Sequence, residues 1–265
     1  MKRIVAGFLV LFLLFAGGCG LLNKLGGDTR EMNLVSYNIH HCAGADGKVD
    51  IQRVADVIAC ERPDFVGLNE VDRKTKRVEG VDEAGELGKR LGLHATFAEA
   101  IPLTGGSYGN AVLSREKPIS VSRIPLPGRE KRVLLMCEFD DCWFGTTHLS
   151  LQETNRVASS EIIRKFVTEK AKEKTVFLSG DWNAVPESKP LTAIREFMRV
   201  VSDESKGTFN GFKKKSPHKG KCIDYIAVDK NSAKNVEVKA THVREDAMTS
   251  DHNLISVKLV MRSAK

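Results

Sequence analysis

The chain has 265 residues, of which 42% are apolar, 28% charged and only 6% aromatic, with a formal net charge of +7. That composition excludes a disordered or low-complexity protein and supplies enough apolar residues for a substantial core in one or two domains. The basic balance suits anionic partners but is too mild to distinguish nucleic acid from an ordinary solvated surface.

At the N-terminus, Lys2 and Arg3 precede an unbroken apolar run over residues 4 to 16, followed by Gly17, Gly18 and Cys19. This is the pattern of an export signal, and the run is shorter than the roughly 20 residues that span a bilayer as a helix. The small residues before Cys19 resemble the bacterial lipobox, with Ala16 where Leu is usual. The resemblance implies removal of residues 1–18, lipid on Cys19, and an exported protein anchored in the bacterial cell envelope, periplasmic or surface-facing. Setting Lys2 and Arg3 aside lowers the net charge from +7 to +5. Residues 19–31, with three glycines and mixed charge, read as a tether, and residues 32–265 as one domain.

The domain opens with "MNLVSYNI", a β-type run. "DIQRVADVIACERP" then reads as a helix, with Asp50 as N-cap, Ile51, Val54, Ala55 and Ile58 on one face, and Pro63 at its end. After the strand "DFVGLNEV" a second helix covers about 82–91, closed by Gly92. Five short β-type runs follow: "LHATFAEAI", "GNAVLSR", "PISVSRI", "RVLLMCEF" and "WFGTTHL". A helix is expected from Leu151 to about Lys172, then the strand "TVFLSG", a helix over 188–199, and three strands in "CIDYIAV", "NVEVKATHV" and "NLISVKLV". No repeat or Gly/Pro/Ser linker divides this stretch. Many strands with a helix after some of them predict an α/β fold, two sheets packed face to face with helices outside. Besides Cys19 the chain holds Cys42, Cys60, Cys137, Cys142 and Cys222, an odd number. Cys137 and Cys142 flank a turn-like stretch, so a cross-hairpin disulfide is conceivable; the others read as buried free thiols.

Asn38, Glu70, His148, Asp181, Asn183 and His252 fall at the ends of predicted strands, where a sandwich gathers side chains at one rim. Carboxylates for a hard cation, a group to position water, and donors for a pentavalent transition state are what phosphoester hydrolysis requires. In an extended segment Asp181 and Asn183, two apart, face the same way.

"SYNIHH", "LNEVD", "GNAVLSR", "TTHLSL", "SGDWNAVP", "GTFNGF", "IDYI" and "SDHNLISVKL" together resemble the ordered motifs of the endonuclease/exonuclease/phosphatase superfamily over residues 36 to 260. The resemblance implies the deoxyribonuclease I-like fold, a four-layer α/β sandwich with two mostly antiparallel sheets flanked by helices. It implies a Mg²⁺ cofactor, with Mn²⁺ as the alternative, held by Glu70 and Asn38, and an auxiliary metal or water role for Asp251. Asp181 would position water, Asn183 stabilise the transition state, His252 act as the catalytic histidine oriented by Asp224, and a protonated His148 donate to phosphate. Among weaker candidates, Arg132, Lys215 and Lys219 would touch an anionic substrate, the lysines belonging to the basic run 213–221. His40 and His41 either line the site or sit in a solvated loop, and Asp72 reads as a turn or supporting residue. Asn110 carries no assignable chemistry.

The expected function is a metal-dependent hydrolase of phosphoesters, most naturally phosphodiesters, acting as a monomer on a lipid head group, nucleotide or nucleic acid. A nuclease on DNA or RNA and a catalytically silent anion-binding module of the same fold are the alternatives; a purely structural lipoprotein would have no use for these side chains. Fold and catalytic residues shared across such a superfamily do not name the substrate.

Overall fold

The computed structural model describes residues 29–212, 216 and 218–262. The leader, Cys19, the tether up to residue 28, and Lys213, Lys214 and Lys215 lie outside the described residues. Among the described residues, twelve strands and four helices follow the expected order except for the added strand β9: β1 (Thr29–Asn38), α1 (Ile51–Ala59), β2 (Phe65–Arg73), α2 (Glu83–Leu91), β3 (His94–Leu103), β4 (Gly106–Ser114), β5 (Ser120–Leu126), β6 (Arg132–Glu138), β7 (Cys142–Thr147), α3 (Glu153–Lys170), β8 (Thr175–Asp181), α4 (Lys189–Arg195), β9 (Met198–Val200), β10 (Asp224–Asp229), β11 (Val236–Arg244) and β12 (Leu254–Arg262).

The strands form two six-stranded sheets, ordered β11-β12-β1-β2-β4-β3 and β5-β6-β7-β8-β10-β9. Among the described residues only β1 with β2 and β7 with β8 run parallel, and these are the pairs joined through α1 and α3. A parallel pair needs a long crossover, so each helix is returned to the outer face of its own sheet. One apolar cluster fills the space between the sheets, and two more lie between each sheet and its helices. The chain is therefore the expected four-layer sandwich, and among the described residues no helix is long and apolar enough to cross a membrane.

Local chemistry explains most boundaries. The Asp50 side chain accepts the Arg53 N–H at 2.9 Å and starts α1, and Asp82 caps α2 on the Gly85 N–H, which Gly92 closes at φ 67°. Three expectations are corrected. β1 begins at Thr29, so residues 29–31 belong to a strand paired with β12 rather than to a tether. The helix expected over 188–199 stops at Arg195, because Met198–Val200 pairs with β10 and buries Met198 in the outer core. The described cysteines are all free thiols. The register of β6 and β7 sets Cys137 opposite Phe144, not Cys142, so these two are not cross-strand neighbours.

Candidate active site

The two-residue period of the strands builds the site. In β1, Met32 and Leu34 face the other sheet, and the same row continues through Ser36 to Asn38; Val35 and Tyr37 face the helices. In β2, Phe65 is followed on the inner row by Gly67 and Asn69, in β8 Phe177 by Ser179 and Asp181, and in β7 Phe144 by Thr146, with His148 just beyond the strand. Each inner row thus passes from apolar to polar toward one rim. A Cβ added at Gly67 would lie 2.0 Å from Ser179 Oγ and 2.9 Å from Thr146 Cβ, so glycine lets the sheets approach where the polar rows begin. Gly180, at φ 136° and with Thr147 O only 2.0 Å from where a Cβ would stand, sets the backbone before Asp181 in the same way.

Glu70 reaches the rim by a different device. Asn69 and Glu70 occupy a β-bulge in the β2–β4 pairing, and Glu70 adopts a left-handed φ of 56°. A non-glycine residue there costs about 1 kcal/mol or more. The bulge keeps Asn69 between the sheets while turning the Glu70 carboxylate, half-buried, to the opening.

The expected residues meet. The Asn38 amide donates to Glu70 Oε1 and to Asp181 Oδ2, both at 3.1 Å, while its Oδ1 accepts the His40 N–H at 3.1 Å. His252 Nδ1 lies 2.9 Å from Asp224 Oδ2, and its Nε2 lies 3.6 Å from Asp181 Oδ2. His148 Nε2 approaches the same Asp181 oxygen at 3.4 Å. Asp251 is buried one residue before His252, whose titration its charge affects.

Electrostatics assign protonation. Burial pulls the His252 imidazolium down, but Asp224, Asp181 and the Asp224 hydrogen bond outweigh it and push it up to about 10. Burial and the charge of Asp224 raise Asp181 above the carboxylate range, against the opposing pull of His252. For His148 the expectation of a protonated imidazole is overturned: burial, Arg132 and His252 hold it well below its ordinary value. Arg132 Nη1 sits 3.2 Å from His148 Nδ1. Arginine only donates, so Nδ1 is the acceptor and the proton of the neutral ring is on Nε2, facing Asp181. His148 is a neutral donor.

Other placements differ from expectation. β8 ends at Asp181 and Asn183 is left-handed at φ 49°, so the two do not converge along an extended strand. The Asn183 N–H returns to Asp181 Oδ1 at 2.9 Å, and its amide donates to Leu149 O at 3.0 Å. Arg132, expected to touch substrate, is buried between His148 and Glu130, so it positions the histidine; it also lines a cavity of about 850 Å³ with Arg129, Lys131 and the exposed Leu151. Lys219 donates to Phe212 O and closes its own loop instead of facing the site. Asp72 holds Arg77 on two nitrogens at 2.7 Å, the supporting role foreseen.

Three supports escaped the sequence. Asn69 donates to Asn110 Oδ1 at 3.0 Å and Thr146 Oγ1 at 3.2 Å and accepts the Asp181 N–H at 2.8 Å, joining both sheets beneath the site. Ser250 donates to Asn38 O and accepts the His252 N–H. Thr208 donates to Asp224 Oδ2 at 2.5 Å and accepts the Asp224 N–H. A small polar residue inside a motif gives no sign of which partner it will find.

The donor set fits a divalent cation. Ligand atoms of Glu70, His40 and His41 lie within 4.8 Å of one another. Asp181, driven up first by burial and then by the charge of Asp224, is a carboxylate that a nearby positive ion would stabilise.

The model of the endonuclease/exonuclease/phosphatase family matches residues 35–252. Among solved structures, an endonuclease/exonuclease/phosphatase from Beutenbergia cavernae is similar at 25% identity and TM-score 0.73, over 88% of this chain and 72% of that one. A mannosyl-6-phosphatase from Bacteroides thetaiotaomicron shares the fold at 17% identity and TM-score 0.68, over 86% and 99% of the two chains. So does D. rerio TDP2 complexed with a single-strand DNA product, at 17% identity and TM-score 0.66, over 86% and 98%. No curated protein matches the chain in sequence.

Proposed function

The chain belongs to the endonuclease/exonuclease/phosphatase family, and from that premise we propose that it hydrolyses phosphodiesters by in-line attack of water, with a divalent cation, Mg²⁺ or Mn²⁺, at Glu70. The observation that carries this reading is the single Asn38 amide bridging Glu70 and Asp181, with His252 3.6 Å from the same Asp181 oxygen and Asp224 behind it. Residues from the first strand to the start of the last thereby face one point between the sheets.

Asp181, raised by burial, is placed to hold the attacking water and accept its proton. His252, charged and anchored by Asp224, donates to the phosphoryl oxygens as negative charge develops. Neutral His148, held at Nδ1 by Arg132, offers its Nε2–H, and the Asn183 N–H braces the Asp181 carboxylate. A divalent cation held by Glu70 would supply Lewis-acid polarisation of the phosphoester and offset the charge of the neighbouring carboxylates.

The cavity beside His148, with Arg129, Lys131 and Leu151 in its wall, suits a substrate that continues past the scissile phosphate with anionic and apolar parts. A lipid head group, a nucleotide or a nucleic acid meets that description. Among the proteins of similar fold, one is a mannosyl-6-phosphatase and another is complexed with a single-strand DNA product. Export by removal of residues 1–18, lipid on Cys19 and residence in the bacterial envelope complete the reading; the basic and apolar leader ending in Gly17, Gly18 and Cys19 supports them. Such an anchor would hold the site near phospholipid head groups.

The test is hydrolysis of a generic aryl phosphodiester with Mg²⁺ or Mn²⁺, then of plasmid DNA, RNA, sphingomyelin and phosphoinositides in parallel. Chelator, Glu70→Gln and His252→Ala serve as controls. Activity should vanish with chelator and fall about 10²–10⁴-fold without the histidine. Activity that survives either the chelator or His252→Ala refutes the mechanism.

A further inference from the structure

His40 and His41 are unused by the mechanism above, yet their surroundings are those of ligands. Residues 40 to 42 form a single 3₁₀ turn after β1 in which His40, His41 and Cys42 all have left-handed φ, at 46°, 43° and 55°. The turn is pinned by Ile39 N to Asn69 O, Ala43 N to His40 O and Asp50 N to Cys42 O, at 2.9 to 3.0 Å, and by the buried Cys42 side chain. Glu70, facing it, is left-handed as well. Unfavourable backbone is thus concentrated at three residues whose side chains converge, and such concentration marks functional positions more often than packing ones.

The imidazoles are also oriented as ligands are. His40 Nδ1 lies 2.9 Å from Ala43 O, so it carries the proton, and Nε2 is left with its lone pair. A ring nitrogen tied to a backbone carbonyl while the other stays open is the usual arrangement of a metal-ligating histidine. His41 Nδ1 is buried without a hydrogen-bond partner among the described residues. Ligand atoms of His40, His41 and Glu70 lie within 4.8 Å of one another. Donors about 2.1 Å from one ion are at most about 4.2 Å apart, so small side-chain rotations close the site. The cation nearby, Arg77, is held by both oxygens of Asp72 and does not fill it.

We propose that His40, through Nε2, and His41 complete the coordination of the ion held by Glu70, so that this metal centre selects a transition ion such as Zn²⁺ or Mn²⁺ over Mg²⁺. The proposal rests on the cation reading of Glu70 given above. Two imidazoles and one carboxylate suit borderline ions, whereas Mg²⁺ prefers oxygen and binds imidazole poorly. Glu70 alone would hold either kind of ion; the histidines supply the preference.

Metal-stripped, untagged protein is loaded with Mn²⁺ and its bound ion examined by pulsed electron paramagnetic resonance for coupling to imidazole ¹⁴N. In parallel, Zn²⁺ and Mg²⁺ affinities are measured by competition with a chromophoric chelator. The wild type should show nitrogen coupling. H40Q and H41Q should each weaken it and lower Zn²⁺ affinity by about 100-fold or more, the upper end of what even an outer partner of a ligand is worth. Mg²⁺ affinity should change far less, with thermal melting confirming that the variants fold. Absence of coupling in the wild type, which requires no variant, overturns the proposal. So does coupling that persists in the double variant, since it would arise from another imidazole. If Mg²⁺-supported, Glu70-dependent hydrolysis persists in either case, the assigned function stands and only the ligand assignment falls; if no divalent ion binds, both fall.

Discussion

Asn69→Ala should be among the most damaging single changes in the chain although Asn69 touches no substrate. Its side chain makes three buried hydrogen bonds, two donated to Asn110 and Thr146 and one accepted from the Asp181 N–H. Truncation removes all three and strands the Asp181 N–H and Asn110 Oδ1 between the sheets. At about 1 kcal/mol net for the bond to Thr146, and about 1–3 kcal/mol for each of the two buried groups left unpaired, the loss should be about 3–7 kcal/mol. Urea unfolding at 25 °C reads this from the midpoint, provided the m-value is unchanged. Because the lost acceptor fixes the backbone of Asp181, kcat/KM on an aryl phosphodiester should fall about 10²-fold even where the variant is fully folded, as expected for a displacement near 1 Å. Asn110→Ala breaks the same network on the side away from Asp181 and should cost stability with a smaller loss of rate. A midpoint for Asn69→Ala that implies less than about 1 kcal/mol, or unimpaired turnover, would refute the view that Asn69 carries the site.

Two further outcomes follow from burial. Gly67→Ala places a methyl carbon within 2.0 Å of Ser179 Oγ and 2.9 Å of Thr146 Cβ, so it should wedge the sheets apart and destabilise by about 1–3 kcal/mol, read by the same unfolding curves. Burial pushes the Glu83 carboxyl up to about 8, against its bond from the Asp72 N–H. Between the ordinary carboxyl value, near 4.5, and 8 the folded protein holds a proton that the unfolded chain has released, so Glu83 makes stability fall as pH rises through that window. Glu83→Gln keeps an acceptor for Asp72 and should remove the fall, gaining on the wild type by about 1 kcal/mol per pH unit between pH 5 and 8. Parallel pH dependences for the two proteins would contradict the assignment.

The fold was legible because its signals are local and repeated. The β-type runs "NLVSYN" and "TVFLSG", the Asp50 cap, Gly92 and Pro63 each state one element, and the motifs of Asn38, His148 and Asp181 fall where strands end. That Glu70, Asp181, Asp224 and His252 would gather was legible from the ordered motifs that carry them. What stayed hidden depends on the third dimension. The bulge at Asn69–Glu70 is invisible in a run that reads as a plain strand, so Asn69 passed unnoticed beside its acidic neighbour. Asn183 was assigned a direction from an extended backbone that ends two residues earlier. The protonation of His148 depends on Arg132, 16 residues away in sequence and adjacent only once β6 and β7 pair. Met198 reads as helix until β10 is there to pair with it.

The central claim, that water attacks phosphorus directly between Asp181 and His252, is tested most sharply by stereochemistry. A phosphorothioate diester of known configuration at phosphorus, hydrolysed in isotopically labelled water with Mg²⁺ or Mn²⁺, should yield a product of inverted configuration. Retention would show two successive displacements through a covalent enzyme intermediate and would contradict the account.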